Sequence, residues 1–263
     1  MRFSIFKPVF AILISASAAS AQTRAEPFAI ADNSFLVEEA FNQEKGIFQN
    51  IVLFQRARGG EWQFEFTQEW PVGGATHQLS YTIPYAEAGL GRVMLNWRVQ
   101  AAFESGSTPA VSPRLSVILP TGANDAAYEA GVQFNLPVSR QFGDIYVHAN
   151  AGATYDRVTV VRQHGLVTPH AGLGLIYRVL PMVHVMAESV IRSEPTLFLV
   201  GGDACCERQR ETSVLFSPGV RAGVNLGDHQ LVLGAAVPLS LRGSGESALL
   251  LYTSYELPFT RSR

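Results

Sequence analysis

The residues in this sequence whose types and spacing could do chemistry are arginines and glutamates set into alternating apolar–polar runs. Charged side chains that line a water-filled pore set its selectivity, whereas charges that pair with each other form a structural network that fills it. Both interpretations stay open here. Six positive and five negative charges nearly cancel, so we expect mutual pairing, for example of Arg98 with Glu65, and weak ion selectivity. If the alternating runs are the strands of a β-barrel, as argued below, these charged residues line its lumen. The predicted lumen-lining residues are Glu65, Glu69, Arg92, Arg98, Arg114, Glu129, Arg178, Glu188, Arg192, Arg221 and Glu256.

Nucleophilic catalysis finds little support in the sequence. A serine nucleophile needs a base within hydrogen-bond reach, and the candidates are His164, His170 and His184 with Ser189 or Ser193. Strand alternation places Ser189 and His184 on opposite faces. Neither a G-x-S-x-G nor an H-E-x-x-H motif occurs. We therefore predict no catalytic residue and no enzyme activity, with lipid modification as the least favoured alternative.

The two cysteines, Cys205 and Cys206, are adjacent and lie in the longest predicted external loop. Adjacent cysteines cannot link distant parts of the fold, although an oxidising compartment permits a vicinal disulfide or a bond to a partner. No histidine lies nearby in the sequence. We predict no metal site and no cofactor.

Alternating strands must position these residues, and the clearest pair spans Glu61 to Pro84. Trp62, Phe64, Phe66 and Trp70 fall on one parity and Gln63, Glu65, Thr67 and Glu69 on the other, which indicates a strand with one apolar and one polar face. The turn residues 71–74 then lead into a second alternating run, so the stretch predicts a β-hairpin. Trp62 and Trp70 lie roughly 26 Å apart along a strand, close to the separation of the two aromatic girdles of a tilted transmembrane strand. The hairpin in isolation would also suit a soluble sandwich.

About twelve such segments follow one another from Gly46 onward, with short connections mostly alternating with longer ones. This pattern predicts an all-β fold, a transmembrane antiparallel up-and-down β-barrel of about 12 strands with short periplasmic turns and longer external loops. Besides the hairpin, the predicted strands are Ile47–Arg56, Arg92–Phe103, Pro113–Thr121, Tyr128–Ser139, Ile145–Tyr155, His170–Val179, Val183–Arg192, Ser213–Asn225, Gln230–Pro238 and Leu249–Phe259. The predicted membrane-girdle aromatics are Trp62, Trp70, Trp97, Tyr128, Tyr155, Tyr177, Tyr255 and Phe259.

Composition and the chain ends predict an exported protein. Residues 1–21 have the basic, apolar and A-x-A regions of a signal peptide. Charged residues make up 16% and hydrophobic ones 47% of the chain, while the net charge of −2 leaves no basic footprint for nucleic acid. We expect the outer membrane of a Gram-negative bacterium, with outer-membrane lipid, a small-molecule solute and the barrel-assembly machinery as partners. The predicted organisation is a periplasmic N-terminal segment at 22–45, a barrel at 46–259 and a tail at 260–263.

The segment before the first strand is polar and admits several interpretations. It contains Glu38, Glu39, Asn42, Gln43 and Glu44. These residues could form a plug or a periplasmic contact. A capped helical turn that leads into the barrel is the interpretation we favour.

Three motifs resemble a known family. The stretch Phe35–Gln49, the later Leu119–Gly122 and Ser217–Arg221 are similar, in that order, to the bacterial "MetA-pathway of phenol degradation" family. The likeness runs from about Phe35 to Phe259. Its members are regarded as outer-membrane transporter barrels, with uptake of aromatic compounds inferred from genetic context. The resemblance implies a channel that passes small solutes, including apolar or aromatic compounds, by diffusion; a closed structural barrel is the alternative.

Overall fold

The computed structural model describes Ile30 and residues 34–122, 128–158, 164–198, 207–243 and 247–259. The predicted signal peptide, the tail at 260–263 and the Cys205–Cys206 pair lie outside these residues. Among the described residues, no helix is long and apolar enough to cross a membrane.

Antiparallel strands form one closed sheet. The strands are β1 Ile47–Ala57, β2 Trp62–Val72, β3 His77–Ala86, β4 Gly89–Leu90, β5 Met94–Val99, β6 Ala110–Val111, β7 Arg114–Ile118, β8 Tyr128–Phe142, β9 Ile145–Val158, β10 His164–Leu180, β11 Val183–Phe198, β12 Glu207–Leu226, β13 His229–Ala236, β14 Leu239–Arg242 and β15 Ala248–Pro258. Neighbours in the sheet follow the order β11, β10, β9, β8, β7, β5, β3, β2, β1, β15, β13 and β12, and β12 pairs with β11 to close it. The result is a 12-strand barrel, as the alternation predicts, with three short strands, β4, β6 and β14, at its rims.

The connections divide the barrel into two ends. Residues 73–76, 143–144, 181–182 and 227–228 are tight connections at one end, here called the short-turn end. Gly73 and Gly74 have φ values of 67° and 97°, which glycine adopts without steric cost. The other end, here called the long-loop end, carries most of the longer connections. One connection at this end, the link between β1 and β2, is short. The longer link between β5 and β7 lies at the short-turn end, as the sequence also indicated.

Two prolines lie inside predicted strands without breaking the barrel. Pro137 of β8 falls between residues that pair with β7 and residues that pair with β6. Pro218 of β12 falls between the stretches that pair with β13 and with β14. In both places the neighbouring strand is interrupted, so the missing proline N–H removes no ladder hydrogen bond.

β10, β11 and β12 are longer than predicted, with 17, 16 and 20 residues. Their pairing continues toward the long-loop end as far as Phe198 opposite Glu207. There the strands have polar residues on both faces of the sheet. Glu194 of β11 and Arg210 of β12, for example, lie on opposite faces. Alternation therefore fails as a signal, because neither face contacts an apolar environment.

The outward face is apolar along most strands. Leu95, Phe134, Leu173, Leu175 and Leu233 all keep more than 45% of their surface exposed, which is the pattern of a surface in contact with lipid rather than water. The inward face is largely polar and buried.

We predict that an arginine on this outward face destabilises the barrel according to depth. Leu173→Arg, near the middle of β10, should cost about 2–4 kcal/mol, and Val179→Arg, near the short-turn end of the same strand, about 0–1 kcal/mol. Denaturant unfolding in lipid vesicles measures both. Equal costs would contradict a lipid-facing β10.

Candidate functional site

An irregular segment occupies the lumen. Ile30 and residues 34–45, here called the plug segment, have bends and turns but no helix. The helical turn that we favoured from sequence is therefore wrong, and the described part of the predicted periplasmic segment lies inside the barrel. Its path is a loop. Ile30 lies beside Met182 and Gly223 at the short-turn end, Leu36 to Glu38 form the apex, and Lys45 and Gly46 return the chain to β1.

Wall side chains bind the main chain of the apex. The Glu188 carboxylate accepts hydrogen bonds from the N–H groups of Leu36 and Val37 at 2.9 and 2.8 Å. The Asn150 amide accepts from Glu38 N–H and donates to Glu38 C=O, both at 2.7 Å. A segment without strand partners must find such partners, since an unpaired buried N–H or C=O is costly.

The descending arm is held in the same way. Ser139 Oγ accepts from Ala40 N–H at 2.8 Å. The Gln100 side chain accepts from Asn42 N–H at 3.0 Å and donates to Ala40 C=O at 2.7 Å. Gln78 Oε1 accepts from the N–H of Gln43 at 2.7 Å. These wall groups come from β3, from β8 and from the residue that follows β5, so the arm is fixed across the lumen.

Arg98 is the centre of the polar network. Its side chain is 3% exposed and donates to Asn42 Oδ1 at 2.9 Å, to Glu38 Oε1 at 3.2 Å and to the backbone C=O of Glu39 at 3.2 Å. It also donates to Phe41 C=O and, at 3.0 Å, to Gln78 Oε1. The planar guanidinium has five N–H donors in a fixed fork, and here they bind plug and wall together.

The Glu38 carboxylate lies between two arginines at the apex. Arg114 Nε donates to both carboxylate oxygens at 3.1 and 2.9 Å, and Asn135 Nδ2 donates at 2.7 Å. Burial by itself would raise the pKa of Glu38, but the charges of Arg114 and Arg98 outweigh it and, with the Asn135 hydrogen bond, hold that pKa below its ordinary value. The side chains of Glu38 and Arg114 stay 19% and 17% exposed.

Inward glycines make room for the apolar side chains of the plug. The Phe35 ring packs against Gly219 and Gly234 and lies 4.8 Å from the Tyr252 ring. Val37 lies against Gly172 and Gly174 in the same way. A side chain at Gly234 would occupy the space of the Phe35 ring. The lumen is thus polar on the β3–β9 side. On the β10–β15 side an apolar cluster around Ile30 and Phe35 lies beside buried polar residues such as Glu188 and Arg221.

Glu39 faces a second buried cluster. Its carboxylate is 3.6 Å from Arg221 and 3.7 Å from His148, and it accepts a hydrogen bond from Ser34 Oγ at 3.1 Å. Arg221 Nε donates to His184 Nδ1 at 3.2 Å. Glu38 and Glu39 of the plug therefore both lie near arginines of the wall.

The predicted lumen residues lie in several environments. Arg98, Arg114 and Arg221 contact plug carboxylates rather than strand carboxylates, so the expected pairing of Arg98 with Glu65 does not occur. Glu69 accepts from Gln78 at 2.8 Å, Glu188 holds the plug apex, and Glu256 is buried. Glu65 lines a cavity of about 270 Å³ between β1, β2 and β3. Arg92 pairs with Asp156 at 2.6 Å, Arg178 with Asp144 at 2.7 Å and Arg192 with Glu194 at 3.4 Å.

A bulge reverses two predicted orientations. The register between β8 and β9 shifts between Tyr128 and Gly131. Tyr128, predicted in the girdle, lies on the lumen side with the Arg92 guanidinium 4.9 Å from its ring. Glu129, predicted in the lumen, pairs instead with the exposed Arg157 at 2.9 Å. An extra residue in a strand exchanges the inward and outward sides of the residues before it. The alternation of residue types in the sequence does not reveal where such a bulge occurs.

The other predicted girdle aromatics lie on the outward face. Trp62 and Tyr155 are toward the long-loop end. Trp97, Tyr177 and Phe259, each nearly half exposed, are toward the short-turn end, as are Trp70 and Tyr255.

The candidate catalytic pair does not meet. Ser189 Oγ donates to Leu215 C=O, while His184 is buried in the lumen beside Arg221. The His164 side chain is not among the described ones. Within the described ranges, no three His, Cys, Asp or Glu residues are grouped so as to hold a metal ion.

A cavity of about 510 Å³, here called the vestibule, lies between the plug apex and the long-loop end. Leu36, Glu38 and Arg114 form its floor. Its walls combine charged groups with apolar ones. The wall residues used below are Arg92, Tyr128, Leu166, His170, Val190 and Arg192. The lumen is therefore divided into an open chamber of mixed polarity and a part filled by the plug.

The comparisons with known proteins agree with this architecture. No protein-family model and no curated protein sequence matches the chain. Among solved structures, an outer membrane channel from Pseudomonas putida F1 is similar, with a TM-score of 0.59, 11% identity, and coverage of 86% of this chain and 98% of the other. The NanC porin is also similar, with a TM-score of 0.53, 8% identity, and coverage of 81% and 100%. At these identities the likeness concerns the fold, and the chain has the fold of outer-membrane β-barrels.

We predict that Gly234→Leu loosens the plug. The new side chain must displace Phe35, and overpacking costs about 1–3 kcal/mol. Hydrogen exchange of the Leu36 and Val37 amides should accelerate by about tenfold or more. Ala235→Leu adds similar volume to the outward face of β13 and is the matched control. Unchanged exchange in Gly234→Leu would contradict the docking of Phe35 at this glycine.

We predict that plug docking weakens in acid. Glu38 has a lowered pKa when docked, so its contribution is complete above the ordinary value of 4.5 and is lost as the pH falls through the docked value. Amide exchange of the plug, corrected for intrinsic rates, should show a step below about pH 4.5. Glu38→Gln, which cannot ionise, should have weaker protection at neutral pH and should lack this step. An identical step in that variant would assign the transition to other groups.

Proposed function

We propose that the protein is an outer-membrane channel for small solutes in which the plug segment controls passage. The fold supports a route through the lumen, because a closed 12-strand barrel lies between small barrels filled by side chains and wide porins. The observation that carries the proposal is the kind of contact that holds the plug. From Leu36 to Gln43 its described backbone is bound by side chains of the wall and pairs with no strand, so this part can leave without disturbing the barrel ladder.

The plug obstructs the route in its docked position. It contacts at least one residue on each of β1, β3, β5 and β7 to β13, and on β15. A solute in the vestibule therefore meets Leu36 and Glu38. We infer that conduction requires displacement of the plug.

Passage of apolar or aromatic solutes remains a proposal that rests on the resemblance to the phenol-degradation family. The vestibule is compatible with it, because Tyr128, Leu166 and Val190 offer apolar surface beside charged groups. The similar Pseudomonas putida protein is described as an outer membrane channel, which supports conduction without naming a solute.

A closed structural barrel is the second candidate. The dense wall contacts of the plug favour it, since Arg98 alone binds five plug or wall acceptors. Removal of the plug separates the two candidates.

We predict that a refolded variant lacking residues 22–43 conducts steadily in a planar bilayer, whereas the mature chain opens rarely. All twelve strands stay intact in the variant, and heat-modifiable migration on gels verifies the barrel. Phenol, added to either side, should alter the current if aromatic solutes enter the lumen. A folded but silent plug-deleted barrel would favour the structural role.

A further inference from the structure

We propose that the floor of the vestibule is a binding site for a small organic carboxylate with an apolar body, and that such a ligand displaces Glu38 and releases the plug. The coupling to passage rests on the proposed channel function. The binding site itself does not.

The site is already built and holds a carboxylate of the chain itself. Arg114, Arg98 and Asn135 direct N–H donors at the two oxygens of Glu38, at distances of 2.7 to 3.2 Å. Donors at these positions recognise a carboxylate whichever molecule carries it. Further bonds from Arg114 to Asn96 and Gln133 fix its guanidinium in place before any ligand arrives.

The site is accessible from the vestibule. Glu38 and Arg114 line the cavity of about 510 Å³ and retain partial exposure, whereas Arg98 is buried behind them. A solute that enters from the long-loop end therefore reaches Arg114 first. It competes for the donors that hold the plug apex.

The walls define the rest of the ligand. Leu166 and Val190 provide apolar surface, and the Tyr128 ring is covered on one side by the Arg92 guanidinium. The other wall cations already have carboxylate partners, Arg92 with Asp156 and Arg192 with Glu194. A single negative charge attached to an apolar body therefore matches the chamber better than a highly charged anion.

The two states of the plug couple binding to release. A ligand shifts an equilibrium only by its different affinities for the two states. A carboxylate at Arg114 is excluded while Glu38 occupies the site, so it favours the state in which the apex has moved. By linkage, removal of the Glu38 carboxylate must strengthen ligand binding.

Isothermal titration of the refolded protein with sodium benzoate, and with uncharged benzamide as the matched probe, tests the proposal. Benzoate should bind Glu38→Ala about tenfold or more tightly than the unmodified chain, because the internal competitor is gone. Benzamide should not distinguish the two proteins. In the Glu38→Ala background, Arg114→Gln should abolish the gain. Should that double variant fail to fold, Arg114→Lys in the same background is the substitute. It keeps the positive charge but lacks the planar guanidinium, and it should lose most of the gain in benzoate affinity.

The same benzoate should accelerate amide exchange at Leu36 and Val37 in the unmodified chain. Equal benzoate affinity with and without Glu38 would overturn the carboxylate site. Benzamide that binds Glu38→Ala as tightly as benzoate does would overturn it as well. Tight benzoate binding with unchanged plug exchange would overturn displacement. Binding and displacement in a barrel that never conducts would leave this site standing and refute the channel function instead.

Discussion

The backbone of the plug must be hydrogen-bonded inside the barrel, and the rest of the lumen depends on this requirement. A strand satisfies its N–H and C=O groups through a neighbour, but the chain from Leu36 to Gln43 has no such neighbour. The wall supplies amide, hydroxyl, carboxylate and guanidinium groups in their place, as at Glu188, Asn150 and Arg98. The choice of inward residues around the barrel thus follows from the path of a segment that belongs to no strand.

The charges of the lumen have their effect through the same segment. Three wall arginines, Arg98, Arg114 and Arg221, lie near Glu38 or Glu39 and lose these carboxylate neighbours when the plug leaves. Breaking a buried ion pair by removing one partner is costly because it leaves an uncompensated charge. The docked plug therefore stabilises the wall around it. When the plug undocks, Arg98 and Arg114 lose the carboxylate of Glu38 and need water or an anion in its place.

The sequence predicted the strands of the barrel better than the contacts of the segment inside its lumen. Twelve strands followed from alternation such as that between Trp62 and Trp70, because lipid and lumen act on opposite faces of each strand. The contact of Glu38 with Arg98 could not be predicted, because it joins residues sixty positions apart through the closure of the whole barrel. A signal was nonetheless present. Inward positions such as Gly172 and Gly234 are glycines. A water-filled pore does not require glycine there, but a segment packed against the wall needs the space that a missing side chain leaves. The bulge at Tyr128 had no comparable sign.

The attachment of the plug to β1 through Lys45 and Gly46 sets the conditions for its release. A tethered group competes for its site at an effective concentration on the order of millimolar for a short flexible linker. To displace Glu38, a free carboxylate that binds Arg114 as well as Glu38 does must reach that concentration. A carboxylate that binds Arg114 more tightly needs a lower concentration, and one that binds it more weakly needs a higher one. Weak intrinsic binding is then no obstacle to selectivity, since a solute that is abundant outside the cell can displace the plug whereas a scarce one cannot. A plug of this kind responds to solute concentration through competition for one guanidinium pair, with no change in the strands that form the barrel.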